Sequence, residues 1–337
     1  MIFLKTKNNF PIRPDLFKYY GFVLILFVIG SGLTLAYLSK FPTLLSMDLL
    51  SFVFGLQHAF DIDHISVIDN ITRKMINDGK NTHGIGFCFS LGHSLVVICM
   101  AVVTIFFVEI SKTLIPKLQT IGGIIGASFA GMMLILLAII NTVILLNTWQ
   151  DFKGINKNKF SMKKTRIYLY FEKTLHLINN NWQVIGIGFL FGLGFDTATQ
   201  ISVLATSAVS TSEGIPWYAA LSFPLLFTSG MCFMDTSDGL FMSTAYSWVF
   251  ASPLRKIYYN LVLTGLSVAA AIFSGVVNLL SALKLAFHVN NGVTTWADNL
   301  NFSNLGIGLV TIFVVVWGLA IFGWYYLGLN RKDDVSN

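Results

Sequence analysis

Residues 51–70 read SFVFGLQHAFDIDHISVIDN. An apolar run (Phe52, Val53, Phe54, Leu56) gives way to His58, Asp61, Asp63 and His64 within seven residues and then resumes at Ile65, Val67 and Ile68. The fold follows from which solvent surrounds this stretch. Of 337 residues, 55% are hydrophobic and 11% charged, against roughly 25% charged in an ordinary soluble domain. Too few polar side chains remain to cover a water-soluble globule, and the 14% aromatic content excludes disorder. Long apolar runs, with none of the short alternating segments of a membrane β-barrel, make the chain an all-α polytopic membrane protein. Cys88, Cys99 and Cys232 lie singly in apolar segments and form neither a disulfide framework nor a zinc knuckle.

About eight transmembrane helices are expected, at about 18–38, 46–70, 84–109, 119–148, 183–209, 216–250, 258–287 and 304–328, since a span needs roughly 20 apolar residues. The first is too long for a signal-peptide core and lacks an A-x-A site, so it is a retained helix. With the N-terminus in the cytoplasm, eighteen of the 22 Lys and Arg fall in inside segments, among them Arg73, Lys74, Lys80, Arg255 and Lys256. Lys40, Lys112, Lys117 and Lys284 fall outside. This asymmetry is the positive-inside rule and puts both termini in the cytoplasm. The net charge of +6 is then a topology signal beside anionic lipid and needs no nucleic-acid partner. The basic stretch at 149–182 reads as a cytoplasmic loop between an N-terminal half, 1–148, and a C-terminal half, 183–337.

A charge in mid-membrane costs about 2.5–3.5 kcal/mol on insertion scales and marks function by default. Besides the second span, the third carries His93 in FSLGHS, the fourth Asn141, the fifth Asp196, Thr197, Thr199 and Gln200, and the sixth Asp235 and Asp238. At about 100° per residue, Asp61 lies about 60° and His64 about 120° round a helix from His58, one face at i, i+3 spacing. Asp63 falls about 140° the other way: it either bonds elsewhere, orienting a ligating histidine, or the helix is unwound there. Imidazoles with carboxylates suit a borderline divalent metal such as nickel, copper, zinc or iron, whereas calcium and magnesium take oxygen alone. Helix-to-helix hydrogen bonding and a proton relay are the competing readings, and neither explains so many insertion penalties in one place. The neighbouring glycines (Gly55, Gly92, Gly192, Gly194, Gly230, Gly239) read either as close-packing positions or as helix breaks that line a site.

F-x-F-G-L occurs at Phe52–Leu56 and at Phe189–Leu193, and F-x-x-G at Phe89–Gly92 and at Phe227–Gly230. The segments run in opposite directions across the membrane, so spans 2–3 and 5–6 are expected to form an inverted repeat with a site near the midplane.

HAFDIDHISVIDNITRK, FSLGHS, FGLGFDTATQ and GMCFMDTSDG resemble, in order, the four signature segments of the nickel/cobalt transporter (NiCoT) family of secondary permeases. The resemblance runs from span 2 through span 6. It implies high-affinity uptake of Ni²⁺, with or without Co²⁺, through eight helices in the cytoplasmic membrane, with the ion as cargo and no resident cofactor. It also implies that His58, Asp63 and His64, with Asp61 alongside, recognise the metal. The remaining signatures carry over onto His93, onto Asp196 and Thr197, and onto Asp235 and Asp238. The third signature usually ends in Glu; here Gln200 stands there, which removes a carboxylate but keeps hydrogen-bonding capacity.

No G-x-x-x-x-G-K-[ST] phosphate loop occurs, and no ATPase subunit is implied. H-E-x-x-H is also missing, which speaks against an intramembrane metalloenzyme. A proton-coupled transporter of another substrate and a metal exporter are the remaining alternatives.

Overall fold

The computed structural model describes residues 12–106, 108–155, 180–194, 203, 214–250 and 253–326. Every regular element among them is a helix: α1 Ile12–Tyr37, α2 Thr43–His58, α3 Ile62–Asn77, α4 Ile85–Phe106, α5 Val108–Ile155, α6 Gln183–Gly192, α7 Trp217–Ala220, α8 Ser222–Phe250, α9 Pro253–Phe287, α10 Gly292–Asp298 and α11 Phe302–Tyr326. Among the described residues six stretches are long and apolar enough to cross a membrane: Pro14–Tyr37, Ile85–Phe106, Thr120–Val143, Trp217–Tyr246, Leu263–Phe287 and Phe302–Leu319. The pair α2–α3 makes a seventh if counted as one span, bent by 51°. Of the expected fifth span, 183–209, the described residues are α6, those up to Gly194, and Val203.

The bend falls within HAFDIDH, where no proline or glycine stands. Asp61 takes extended backbone angles (φ −62°, ψ 138°) at the N-cap of α3, yet its side chain caps nothing. Its carboxylate is taken by His58 and by Ser303 of α11. Gly306 of α11 presses on the same turn, so closely that a Cβ there would stand 1.5 Å from the Phe60 carbonyl oxygen. At the same turn Asp63 Oδ1 takes the His64 backbone N–H, and a side chain inserted at a helix ladder is a recognised cause of kinks.

Past the bend, α3 is the polar axis of the bundle. Every residue from His64 to Ile76 is buried, including Asp69, Asn70, Thr72, Arg73 and Lys74, among α4, α5, α8, α9 and α11. The outer helices are the reverse: α1 exposes Phe17, Leu24, Ile25 and Val28, and α11 exposes Val314, Val315, Leu319 and Phe322. Apolar outside and polar inside is the packing a bilayer favours. Arg73 and Lys74, counted above as loop residues, are instead helical and buried at the basic end of α3.

Two helix pairs close on reciprocal glycines. A Cβ on Gly55 of α2 would stand 2.0 Å from the Phe227 carbonyl oxygen of α8, and one on Gly230 of α8 2.4 Å from that of Phe52. In α4 and α6, a Cβ on Gly188 would stand 2.0 Å from the Phe89 oxygen, and one on Gly92 2.0 Å from that of Ile185. Exchanging α2 with α6 and α4 with α8 turns one pair into the other. Helices α4 and α8 are themselves antiparallel: Gly86 packs on Asp235 and Gly239, while Val97 and Ile105 share a cluster with Phe223 and Phe227. A two-fold relating them therefore lies across the helix axes, as in an inverted repeat. The contacts pair Gly55 with Gly188, one turn before the Gly192 that F-x-F-G-L selects; backbone approach sets this register, and glycine–carbonyl contact outweighs the short sequence match. At these positions the glycines serve close packing.

Candidate metal centre

The bend turns the end of α2 toward the start of α3, which carries His58 beside His64, and α4 brings His93 between them. Ring centroids are 4.8 Å apart for His58 and His64, 5.0 Å for His58 and His93, and 4.7 Å for His64 and His93. All three are buried, and each offers a ring nitrogen within 4.8 Å of the others.

The hydrogen bonds fix which nitrogen points where. His58 Nδ1 lies 2.9 Å from Asp61 Oδ2, and His64 Nδ1 lies 3.1 Å from Asp235 Oδ2. An ionised carboxylate only accepts, so each Nδ1 donates, and in the neutral ring each Nε2 then keeps its lone pair for the interior. A carboxylate behind a histidine is the arrangement that orients metal-ligating imidazoles and raises their basicity. His64 Nε2 has no hydrogen-bond partner among the described residues. His58 Nε2 and His93 Nε2 are 3.0 Å apart, and nitrogens at that distance share either a proton or a metal. A dication with bonds of about 2.1 Å separates ligands at right angles by about 3.0 Å and opposed ligands by about 4.2 Å. The 3.0 Å between His58 Nε2 and His93 Nε2 matches ligands at right angles, and no pair in the cluster exceeds 4.8 Å.

The apolar walls come from Phe89, whose ring is 4.9 Å from that of His64, and Phe227, 5.8 Å from that of His58. These two phenylalanines take equivalent places in the two reciprocal glycine contacts, Phe89 against Gly188 and Phe227 against Gly55.

Other residues expected at the site sit around it. Asp63, half-buried on the first turn of α3, accepts the His64 backbone N–H at 3.0 Å. Asn141 of α5 donates to Asn70 Oδ1 at 2.6 Å, and Asn70 Nδ2 donates to the Ser66 carbonyl at 2.7 Å, which ties α5 to α3. Asp238 is one turn beyond Asp235 on α8, and its Oδ2 is buried without a hydrogen-bond partner among the described residues. Asp196, Thr197, Thr199 and Gln200 lie outside the described residues. Ser303, which donates to Asp61 Oδ1, had no signal in the sequence.

The sequence pattern of the NicO family, described as high-affinity nickel-transport protein, matches residues 44–322. The chain belongs to that family. As a NicO member it is a membrane-embedded transporter and not an enzyme. It is 36% identical over 317 residues to the high-affinity nickel-transport protein NixA of Helicobacter pylori, covering 90% of this chain and 95% of the relative. It is 37% identical over 294 residues to the nickel transporter NicT of Mycobacterium tuberculosis, 84% and 79% of the two chains. With the cobalt transport protein NhlF of Rhodococcus rhodochrous it shares 33% over 323 residues, 90% and 91% of the two. No solved structure matches the chain.

Proposed function

We propose that this NicO protein takes up Ni²⁺, and Co²⁺ with it, across the cytoplasmic membrane by alternating access, with both termini inside. The observation that carries the reading is the convergence of three buried imidazoles from α2, α3 and α4, two of them backed by carboxylates. Imidazole is the side chain that suits nickel and its neighbours, and a cluster of neutral donors suits an ion that must leave again.

The cycle starts with the hydrated ion reaching the cluster from outside and exchanging water for His58, His64 and His93. Asp61 and Asp235 hold the rings and supply negative charge behind them; Asp63 and Asp238 extend that charge along α3 and α8. Rocking of one repeat on the other, through the paired glycine contacts, then exposes the ion to the cytoplasm. A dication crossing about 100 mV, negative inside, gains about 4.6 kcal/mol, enough for a concentration ratio of roughly two thousand. No coupled ion is required.

Uptake of radioactive nickel into vesicles, with and without an imposed voltage and with cobalt and zinc as competitors, tests the proposal. Uptake that follows the voltage and is competed by cobalt supports it. Transport of another substrate that ignores chelators refutes it in favour of a proton-coupled carrier, and nickel movement only outward refutes it in favour of export.

A further inference from the structure

Helices α3 and α8 carry His64 and Asp235, and they are joined a second time nearer the basic end of the bundle. Arg73, nine residues on from His64 and about 13 Å along α3, is fully buried, at 0% exposure. Its guanidinium donates to Thr264 Oγ1 at 2.5 Å and to Ser267 Oγ at 2.8 Å on α9, and to the Tyr246 hydroxyl on α8. The guanidinium carbon also lies 4.1 Å from the centroid of the Tyr246 ring. Asp69 Oδ1, one turn back on α3, lies 3.6 Å from Arg73 Nη2 and accepts the Tyr246 hydroxyl. One cation thus fastens three helices together.

For stability this is a poor choice. A buried ion pair costs more in desolvation than apolar residues of the same volume would, and a charge inside a membrane bundle marks a pathway. Its position gives the pathway. Ser66, Asp69 and Arg73 follow one another at i, i+3 and i+7, a single stripe of α3 that leads from the histidine cluster to the end carrying Lys80 and, after α8, Arg255 and Lys256. A dication released from the histidines along this stripe meets a fixed positive charge. Just before it stand two buried carboxylate oxygens, Asp69 Oδ2 and Asp238 Oδ2, neither with a hydrogen-bond partner among the described residues. A dication at Asp69 competes with Arg73 for that carboxylate, and a loosened Arg73 lets α8 and α9 part from α3.

We propose that Arg73, held by Asp69, Tyr246, Thr264 and Ser267, is the closed cytoplasmic gate of the permeation path, opened by the arriving cation. The inference rests on the transport reading and on the orientation above, and its test uses no nickel. Ser66→Cys, in a chain with Cys88, Cys99 and Cys232 replaced by Ser, puts one thiol on the stripe between the histidines and the gate. Labelling by a membrane-impermeant maleimide is followed in right-side-out and inside-out vesicles. The parent is expected to label slowly from both sides. Arg73→Gln and the milder Tyr246→Phe are expected to speed labelling at least tenfold from the cytoplasmic side alone. Should Arg73→Gln not insert, Tyr246→Phe and Thr264→Val, which each remove one oxygen, carry the test. Unchanged labelling in inserted variants overturns the proposal, and so does acceleration from both sides, which would mark Arg73 as a fold determinant only. Gated labelling in a chain that moves no nickel would leave the gate standing and remove the substrate assignment.

Discussion

Asp61→Asn separates a carboxylate that holds a histidine from one that holds the ion. The carboxylate accepts from His58 Nδ1 at 2.9 Å and from Ser303. The amide oxygen of Asn still accepts the imidazole N–H, so the ring keeps its direction and the bulk of the site is unchanged. What disappears is the charge. A hydrogen bond to an ionised partner contributes about 1.5–3 kcal/mol and a neutral one about 0.5–1.5, so His58 loses about 1–1.5 kcal/mol of polarisation, near tenfold in affinity. The lost Coulombic attraction to the dication acts in the same direction. Together they predict nickel binding weakened about 10- to 100-fold, the range seen when the group behind a ligating histidine is changed. Equilibrium dialysis of the detergent-solubilised protein measures this directly, with His58→Ala as the reference for loss of a ligand. Ser303→Ala, which removes only a donor to the carboxylate, is expected to cost less than tenfold. Affinity within threefold of the parent in Asp61→Asn would refute the role of the carboxylate in backing His58. A loss as complete as that of His58→Ala would show that Asp61 binds the ion itself.

His64→Ala and His93→Ala should each abolish nickel accumulation while leaving membrane insertion intact; unchanged uptake in an inserted variant would remove that ring from the site. Nickel affinity should rise with pH, because a protonated imidazole cannot ligate. Dialysis at several values between about pH 5 and pH 8, a window that brackets the usual histidine range, checks this, and a flat profile would exclude imidazole ligation. Gly306→Ala brings a methyl group to 1.5 Å from the Phe60 carbonyl oxygen, so α11 must move off the bend, at a cost of about 1–3 kcal/mol as for overpacking in general. A lower midpoint of thermal unfolding, with weaker nickel binding, is the expected outcome; a parental midpoint would show that the close approach is not held in solution.

Much of this protein was legible without coordinates. Hydropathy alone gives the helical membrane class and the approximate positions of six spans, with the bent pair α2–α3 running past its expected end at residue 70 to Asn77, because in a bilayer each segment must satisfy its own backbone and shed its charges. The conflict between hydrocarbon and HAFDIDH, FSLGHS and MDTSD singled out His58, His64, His93, Asp61 and Asp235, since nothing but function repays such burial. One-dimensional spacing could not say how these residues divide their work. On a straight helix His58, Asp61 and His64 share a face as equals. The tertiary structure bends the helix at Asp61 and turns that carboxylate away from the centre onto His58 Nδ1, while Asp235, 171 residues from His64, arrives to do the same for the second ring. Ser303 and Gly306, which hold the bend, carry no sequence signal because their importance lies wholly in what α11 is packed against. Arg73 was readable as a basic residue at a cytoplasmic end, and only the surrounding α8 and α9 reveal it as buried. Residue chemistry in a membrane singled out which groups to ask about; contacts between distant helices decided which ring nitrogens rest on carboxylates and which charge is buried among α3, α8 and α9.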